Sequence, residues 1–149
     1  MTTIKTIIRL LRQDDFNAVV AIDERVSPLR RSDYFRNKFV RALDEKNQSV
    51  ISLVAEVEGK VAGFVVSELF TGEYGIQETE ATLDTIGIHP DYQLKGIGRQ
   101  LMDELTAHLK KTGVIKLSTL AGWNDFQLVR FFSATGFKPS ETINLELIL

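Results

Sequence analysis

The sequence predicts an α/β (α+β) fold in which a mixed sheet carries helices on its faces. Three observations lead there. Runs rich in β-branched residues alternate with segments whose apolar side chains recur every three or four positions. The tripeptide Glu58-Gly59-Lys60 separates two such runs as a tight antiparallel hairpin would. A strand at 81–88, a helix at 98–111 and a strand at 114–120 compose a βαβ unit, which needs parallel pairing across a helical crossover. At 149 residues, 44% hydrophobic, the chain can bury a core without staples, and no repeat or linker divides it, so one domain over 1–149 is expected.

The elements follow in order. Residues 3–10 alternate Ile4, Thr6, Ile8 and Leu10 on one side and predict a first strand. Residues 14–25 place Phe16, Val19, Val20 and Ile22 on one helical face. Residues 26–31, with Pro28 and two arginines, read as a loop, after which Ser32 can cap a second helix carrying Phe35, Phe39, Val40 and Leu43. Asn47-Gln48-Ser49 ends that helix with turn-favouring side chains. Strands at 50–57 and 61–70 flank the hairpin, and the polar stretch 71–80 leads to the strand at 81–88. The following helix has an apolar stripe of Leu101, Met102, Leu105 and Leu109 and stops at Gly113. After the strand at 114–120, an amphipathic helix at 125–135 (Leu128, Val129, Phe131, Phe132) closes at Gly136, and 143–149 alternates as a last strand.

Composition removes several function classes. The chain has no cysteine, which excludes thiolate catalysis, disulfide frameworks and Cys-based metal sites. Its two histidines, His89 and His108, lack ligand spacing, so no metal is expected. The formal charge of -2 gives no general attraction to nucleic acid or to anionic membrane. No apolar run approaches ~20 residues and the N-terminus lacks a signal-peptide pattern, so a cytoplasmic location is expected.

The most informative segment is Ile86-Gly87-Ile88-His89-Pro90-Asp91-Tyr92-Gln93-Leu94-Lys95-Gly96-Ile97-Gly98-Arg99, in which a strand passes through a short loop straight into a helix. Amides at a helix start lack intrahelical acceptors and sit at the positive end of the dipole, so they suit a phosphate or pyrophosphate. Glycines at 96 and 98 would let the anion approach the backbone. No Gly-Lys-Ser/Thr follows, which excludes a P-loop, and residue 101 is Leu rather than a third glycine, which excludes the dinucleotide fingerprint.

What remains, Gln93-x-x-Gly96-x-Gly98 after Ile88-x-Pro90, resembles the signature of the GNAT superfamily of N-acetyltransferases. The likeness extends over nearly the whole chain, through Arg9 with Asp14-Asp15, the Glu58-Gly59 hairpin before 61–65, and Phe131-Phe132 before Gly136-Phe137. It implies a mostly antiparallel central sheet whose βαβ unit binds acetyl-CoA in a V-shaped opening between the strands at 81–88 and 114–120. Carried over by position, the amides of Leu94, Lys95, Gly96, Ile97, Gly98 and Arg99, in the loop that Gln93 opens, would hold the pyrophosphate. Backbone groups of Ile86 and Ile88, on either side of Gly87, would pair with the pantetheine as with a neighbouring strand. Lys95 and Arg99 could add charge or be solvated, and Arg30-Arg31 could reach the adenosine phosphate if the second helix lies close. Members of the family commonly dimerise through the last strand, so a homodimer is a further implication for 143–149.

The implied reaction needs a base for the acceptor amine, which in a lysine-like group titrates near ~10.4, more than an acid for the thiol, near ~8.5. The family's fifth-strand Glu falls on Leu120, which leaves Asp84 as the on-strand candidate, placed by alternation on a face with Thr82 and Ile86. In the acidic loop 71–80, Glu73 and Tyr74 are candidates for the acceptor wall, with Glu73 and Asp84 forming one acidic pocket. The family's Asn and Tyr on the last helix fall on Asp125, beside Asn124, and on Phe132, which cannot donate a proton, so the thiolate would leave with help from water or a backbone dipole, or with Tyr74 or Tyr92 as a substitute acid. Phe131 and Phe132 cannot both face the core, and by the family's alignment Phe132 would lie beside the pantetheine arm, with Asn124 and Asp125 also on the cofactor side, while Trp123 could gate the acceptor or pack against strand ends. The implied activity is acetyl transfer from acetyl-CoA to a primary amine of a protein N-terminus, a lysine or a small molecule. The likeness around 81–109 leans toward the ribosomal-protein alanine type, without that type's Tyr and Glu. The alternative is a non-catalytic acyl-CoA-binding module of the same fold, which Phe132 in place of Tyr motivates.

Overall fold

The computed structural model describes residues 5–46 and 48–149. Five strands form one sheet in chain order: β1 (Thr6–Leu10), β2 (Val50–Val57), β3 (Lys60–Thr71), β4 (Thr79–Ile88) and β5 (Leu117–Thr119). The first three pairings are antiparallel and β4–β5 is parallel, as a βαβ unit requires. The helices are α1 (Phe16–Val26), α2 (Ser32–Ala42), α3 (Ile97–Lys111) and α4 (Phe126–Ala134). Short 3₁₀ turns precede α1, cross the β3–β4 connection and follow β4.

Each face of the sheet carries its own core. Phe35, Phe39, Val19 and Ile22 of α1 and α2 pack on Val50, Val54, Phe64 and Val66. On the opposite face, Ile97, Leu101, Met102, Leu105 and Leu109 of α3, with Phe132 of α4, pack on Ile51, Leu53, Ala55, Val65, Ala81 and Leu83. The hairpin forms as its residues dictate, with positive φ at both Glu58 and Gly59 and pairing of Val57 to Lys60. Below the sheet, Arg9 donates to both carboxylate oxygens of the buried Asp15 at 2.8 Å and to Glu56 at 2.8 Å, fixing the start of the α1 segment against β1 and β2.

Several expectations are corrected. Residues 143–149 belong to no strand, and their apolar side chains are exposed, because no edge of the sheet within the chain receives them. The fifth strand is shorter than 114–120: it pairs with β4 over three residues and then turns away at Leu120. Val40 points to solvent on α2, since Phe35 and Phe39 already fill the groove above the sheet. The first strand is described from Thr6; Ile4 and Asn47 lie outside the described residues. No helix among the described residues is long and apolar enough to cross a membrane.

Candidate acetyl-CoA and acceptor site

β4 builds the site because it outruns its neighbour. It pairs with β5 only at Ala81, Leu83 and the residue between them, then continues alone to Ile88 while β5 departs. The hydroxyl of Thr119 donates to the carbonyl of Leu83 at 2.9 Å and marks the point of separation. Past that point the β4 edge that faced β5 carries no strand partner and is open. The N–H of His89 donates to Ala62 of the β3 edge at 2.8 Å, so by antiparallel alternation Gly87 also turns its polar groups to β3. The backbone groups of Ile86 and Ile88 therefore turn the other way, into the opening. Of these, the carbonyl of Ile88 accepts from Gln93 Nε2 at 3.0 Å, which folds the following loop back onto the strand end.

A bulge decides which side chains reach which face. Val66 pairs with Thr85 and Ser67 with Leu83, so Asp84 is one residue more than β3 can match. The alternation resets there. Ala81, Leu83, Ile86 and Ile88 all pack on the α3 side, whereas Asp84 and Thr85 both turn toward α2. The expected shared face of Asp84 and Ile86 is thereby overturned. Gly87 has a packing cause: a Cβ there would lie 2.7 Å from the buried ring of Phe64.

The loop into α3 has the backbone of an anion site. Leu94 and Gly96 both have positive φ (62° and 81°), which turns successive N–H groups in the region toward one point. A Cβ at Gly96 would meet nothing within 4 Å, so the space beside these amides is open. The amides of Ile97, Gly98 and Arg99 open the helix and have no intrahelical acceptor, while that of Gln100 donates to Gly96 at 3.1 Å. A pyrophosphate fits this cradle. Gly98 is glycine for a second reason, since a Cβ would stand 2.8 Å from the Phe131 ring of α4. Arg99 is committed elsewhere, donating to the carbonyl of Ala134 at 3.0 Å, and Lys95 extends over the Tyr92 ring. Arg31, which sequence offers to the adenosine phosphate, instead grips Asp23 at 2.7 Å and Thr85 at 2.7 Å. The hydrogen bonds to Asp23 raise the guanidinium pKa above its usual range.

The profile of the acetyltransferase (GNAT) family matches residues 7–137. The chain belongs to that family. An acetyltransferase of Pectobacterium atrosepticum is 27% identical over 138 residues, covering 93% of this chain and 92% of its own. An uncharacterized N-acetyltransferase of Yersinia pestis is 26% identical over 138 residues, covering 93% of this chain and 92% of its own. Among solved structures, an aminoglycoside N-acetyltransferase in complex with CoA superposes with a TM-score of 0.82 at 14% identity, over 97% of this chain and 95% of that one. A ribosomal-protein alanine N-acetyltransferase of Escherichia coli gives 0.76 at 23% identity, over 91% and 79%.

Within this acetyltransferase the remaining predicted residues stand as follows. One Asp84 oxygen accepts from Lys38 Nζ at 2.7 Å and the other from the Thr82 hydroxyl at 2.8 Å. Lys38 also donates to Glu68 at 2.7 Å, and Arg41 pairs with Glu68 as well. Sequence reading missed Lys38 and Glu68. Their signal was present in the spacing of Tyr34, Lys38 and Arg41 along one side of α2, but nothing in the sequence says which strand residues lie beneath them. Above Lys38 and Arg31 sits the Tyr34 ring, whose hydroxyl burial pushes upward in pKa. Glu73 and Tyr74 are exposed on the 3₁₀ turn beyond the Thr79 end of β4, where Tyr74 has φ 53°. Five residues of strand, ~17 Å at ~3.3 Å each, separate that end from Asp84, so the structure does not join Glu73 and Asp84 in one pocket. Asp125 caps α4 through the Leu128 amide at 3.2 Å, with Asn124 exposed before it. The expected place of Phe132 beside the pantetheine is corrected: it is 5% exposed and belongs to the core between α3 and α4, its ring 4.9 Å from Phe137. Of the two phenylalanines it is Phe131, half-buried over Gly98, that stands at the start of α3.

Proposed function

We propose that this protein transfers an acetyl group from acetyl-CoA to a primary amine by direct attack in a ternary complex. The observation that carries the reading is the β4 edge: backbone groups at Ile86 and Ile88 that no neighbouring strand pairs continue directly into the left-handed loop and first turn of α3. A chain of amide groups ending in a pyrophosphate matches that sequence of donors and acceptors better than a compact ligand would. In the reaction, the amine nitrogen bonds to the thioester carbon, the carbon–sulfur bond breaks, and the proton leaving nitrogen goes to a base while the thiolate departs.

Asp84 is our candidate for the base, acting through a water, because it is the carboxylate that the bulge turns out of the sheet beside the opening. Asp84 and Glu68 share Lys38, and Arg41 pairs with Glu68 as well, so a cationic acceptor would reach this pair by competing with Lys38. Glu73 and Tyr74 are assigned to the outer acceptor surface, where an exposed aromatic and an acid suit a long amine. The acceptor is a protein N-terminus, a lysine or a small-molecule amine, in keeping with the named activities of the structural neighbours, and we place the protein in the cytoplasm. The residue at 132 being Phe, protonation of the thiolate falls to water, which the lower pKa of a thiol permits.

The test is Asp84→Asn in a thiol-release assay. The reading expects a rate loss of ~10²-fold near neutral pH with little change in acetyl-CoA affinity, and the loss should shrink toward pH ~10, where the amine deprotonates unaided. A rate equal to wild type across that range would remove Asp84 from the chemistry.

A further inference from the structure

Acetyl transfer needs a primary amine in hydrogen-bond contact with the base, and the chain supplies one of its own. Lys38 Nζ lies 2.7 Å from an Asp84 carboxylate oxygen, inside the ~2.6–3.2 Å over which a base takes a proton. Asp84 is two strand residues, ~6.6 Å, from Ile86, on the β4 edge that no strand covers. Its other oxygen is anchored by the Thr82 hydroxyl, while the four-carbon lysine stem is flexible enough to carry Nζ over that span.

Lys38 is set apart from the other lysines. Of the nine in the sequence it alone is not exposed: its side chain keeps 11% of its accessible area and its Nζ stands 5.7 Å from the centre of the Tyr34 ring. Acetyl-CoA free in solution reaches exposed amines first, so a buried lysine is modified only from a thioester already seated beside it. Pairing with Glu68 accounts for a buried cation at this position, but Glu68 already has Arg41. The second bond, to Asp84, ties an amine to the carboxylate that stands beside the open strand edge.

We propose that Lys38 is an acetylation site of the protein's own activity, and that its modification opens the acceptor site. The proposal rests on the reading of Asp84 as the base. Nζ, an ammonium, gives one proton to Asp84 and through it to solvent. The freed electron pair bonds the thioester carbon, the carbon–sulfur bond breaks, and the second proton lost from Nζ ends on the departing sulfur through water. The product is a neutral amide. Asp84 is then without a cation while Glu68 keeps Arg41, so a cationic amine reaches Asp84 with no lysine to displace. The first transfer, within the protein, readies it for transfer to the acceptor.

The test incubates the whole chain with acetyl-CoA and no acceptor, then maps acetylated peptides by mass spectrometry. One acetyl group should appear on Lys38 ahead of the eight exposed lysines, with one thiol released per acetyl. Its first-order rate should be independent of protein concentration, because each Lys38 is served by its own site. Asp84→Asn and Gly96→Val should lose this modification and keep the background on exposed lysines, with unchanged far-UV spectra showing that both fold. Protein preincubated with acetyl-CoA should show a several-fold lower KM for a cationic amine. Lys38→Arg, which keeps a cation between the two carboxylates but offers no acylable amine, should show no such shift. An unmodified Lys38, labelling no faster than that of exposed lysines, a rate that rises with protein concentration, or a KM untouched by preincubation would overturn the proposal. If an external amine is acetylated while Lys38 is not, this proposal falls alone; if neither is, the acetyl-transfer reading falls with it.

Discussion

Gly87→Ala is a demanding probe of the strand that builds the site. In an ordinary strand, replacing Gly by Ala stabilises by ~0.5–1 kcal/mol through backbone entropy. Here the new Cβ would lie 2.7 and 2.9 Å from two carbons of the Phe64 ring and 3.5 Å from Ile22. Carbon contacts settle near ~3.5–4.0 Å, so the overlap is about 1 Å. The ring cannot retreat: Phe64 is fully buried, and Phe35 meets it edge-on with centroids 5.6 Å apart. Overpacking of this kind costs ~1–3 kcal/mol, and with both sides of the ring fixed the upper part of that range applies. Offset by the entropic gain, the net loss should be ~2 kcal/mol. For a chain of this length that corresponds to ~4–8 °C in Tm. Urea unfolding should show a lowered midpoint with unchanged slope, and acetyl-CoA affinity should fall because Ile86 and Ile88 flank the displaced residue. Phe64→Leu in the same background should recover ~1 kcal/mol relative to its cost in wild type, as a double-mutant cycle measures. A neutral or stabilising Gly87→Ala would refute the close approach of β4 to Phe64 and the register that rests on it.

Three further outcomes are expected. Asp15→Asn should cost about 3 kcal/mol, since it leaves the buried end of Arg9 without its main partner. Burial alone would raise the Asp15 carboxyl, but the Arg9 guanidinium and the Arg12 amide hold it below the usual carboxylate range. Its contribution is therefore full above the unfolded value of ~3.9 and is lost as pH falls through the lower folded value, so urea titrations should show the variant's stability declining less steeply in acid than the wild type's. At Gly96, Asn tolerates the left-handed backbone and should keep acetyl-CoA affinity, whereas Val strains it by ~1–2 kcal/mol and should weaken binding at least tenfold by calorimetry; full affinity in the Val variant would place the pyrophosphate elsewhere. Lys38→Met frees Asp84 of its cation and leaves Glu68 to Arg41 alone, so the KM for a cationic amine should fall several-fold while acetyl-CoA affinity stays constant, and an unchanged KM would remove this acidic pair from the acceptor site.

How far the sequence reaches is clear from particular segments. The hairpin at Glu58-Gly59 and the loop from Gln93 to Gly98 were legible because each depends on backbone freedom that only certain residues provide, and those residues are written in order. The parallel β4–β5 pairing followed from the βαβ pattern, whereas the opening between those strands came only from the family likeness. The bulge at Asp84 was not legible, since an extra residue within a continuous β-rich run carries no breaker, and its only trace is the pair of polar residues Asp84-Thr85 where alternation expects one. Lys38 against Asp84 and Glu68 joins positions 46 and 30 apart in sequence, a contact that local periodicity cannot encode. Residues 143–149 were read as a last strand and belong to none, because alternation reports an apolar face without naming a surface that covers it.

The central claim, that the β4 edge and the α3 start present acetyl-CoA to an amine, is tested most directly by following acetylated product by mass spectrometry, with free thiol counted in the same reaction. The panel should hold an N-terminal alanine peptide, a lysine peptide, an aminoglycoside and a polyamine. The account predicts that at least one amine is acetylated with one thiol released per acetyl transferred, and that Gly96→Val reduces both signals together. Tight acetyl-CoA binding with no acetylated amine from any of the four, and no thiol release above hydrolysis, would contradict it and leave an acyl-CoA-binding module.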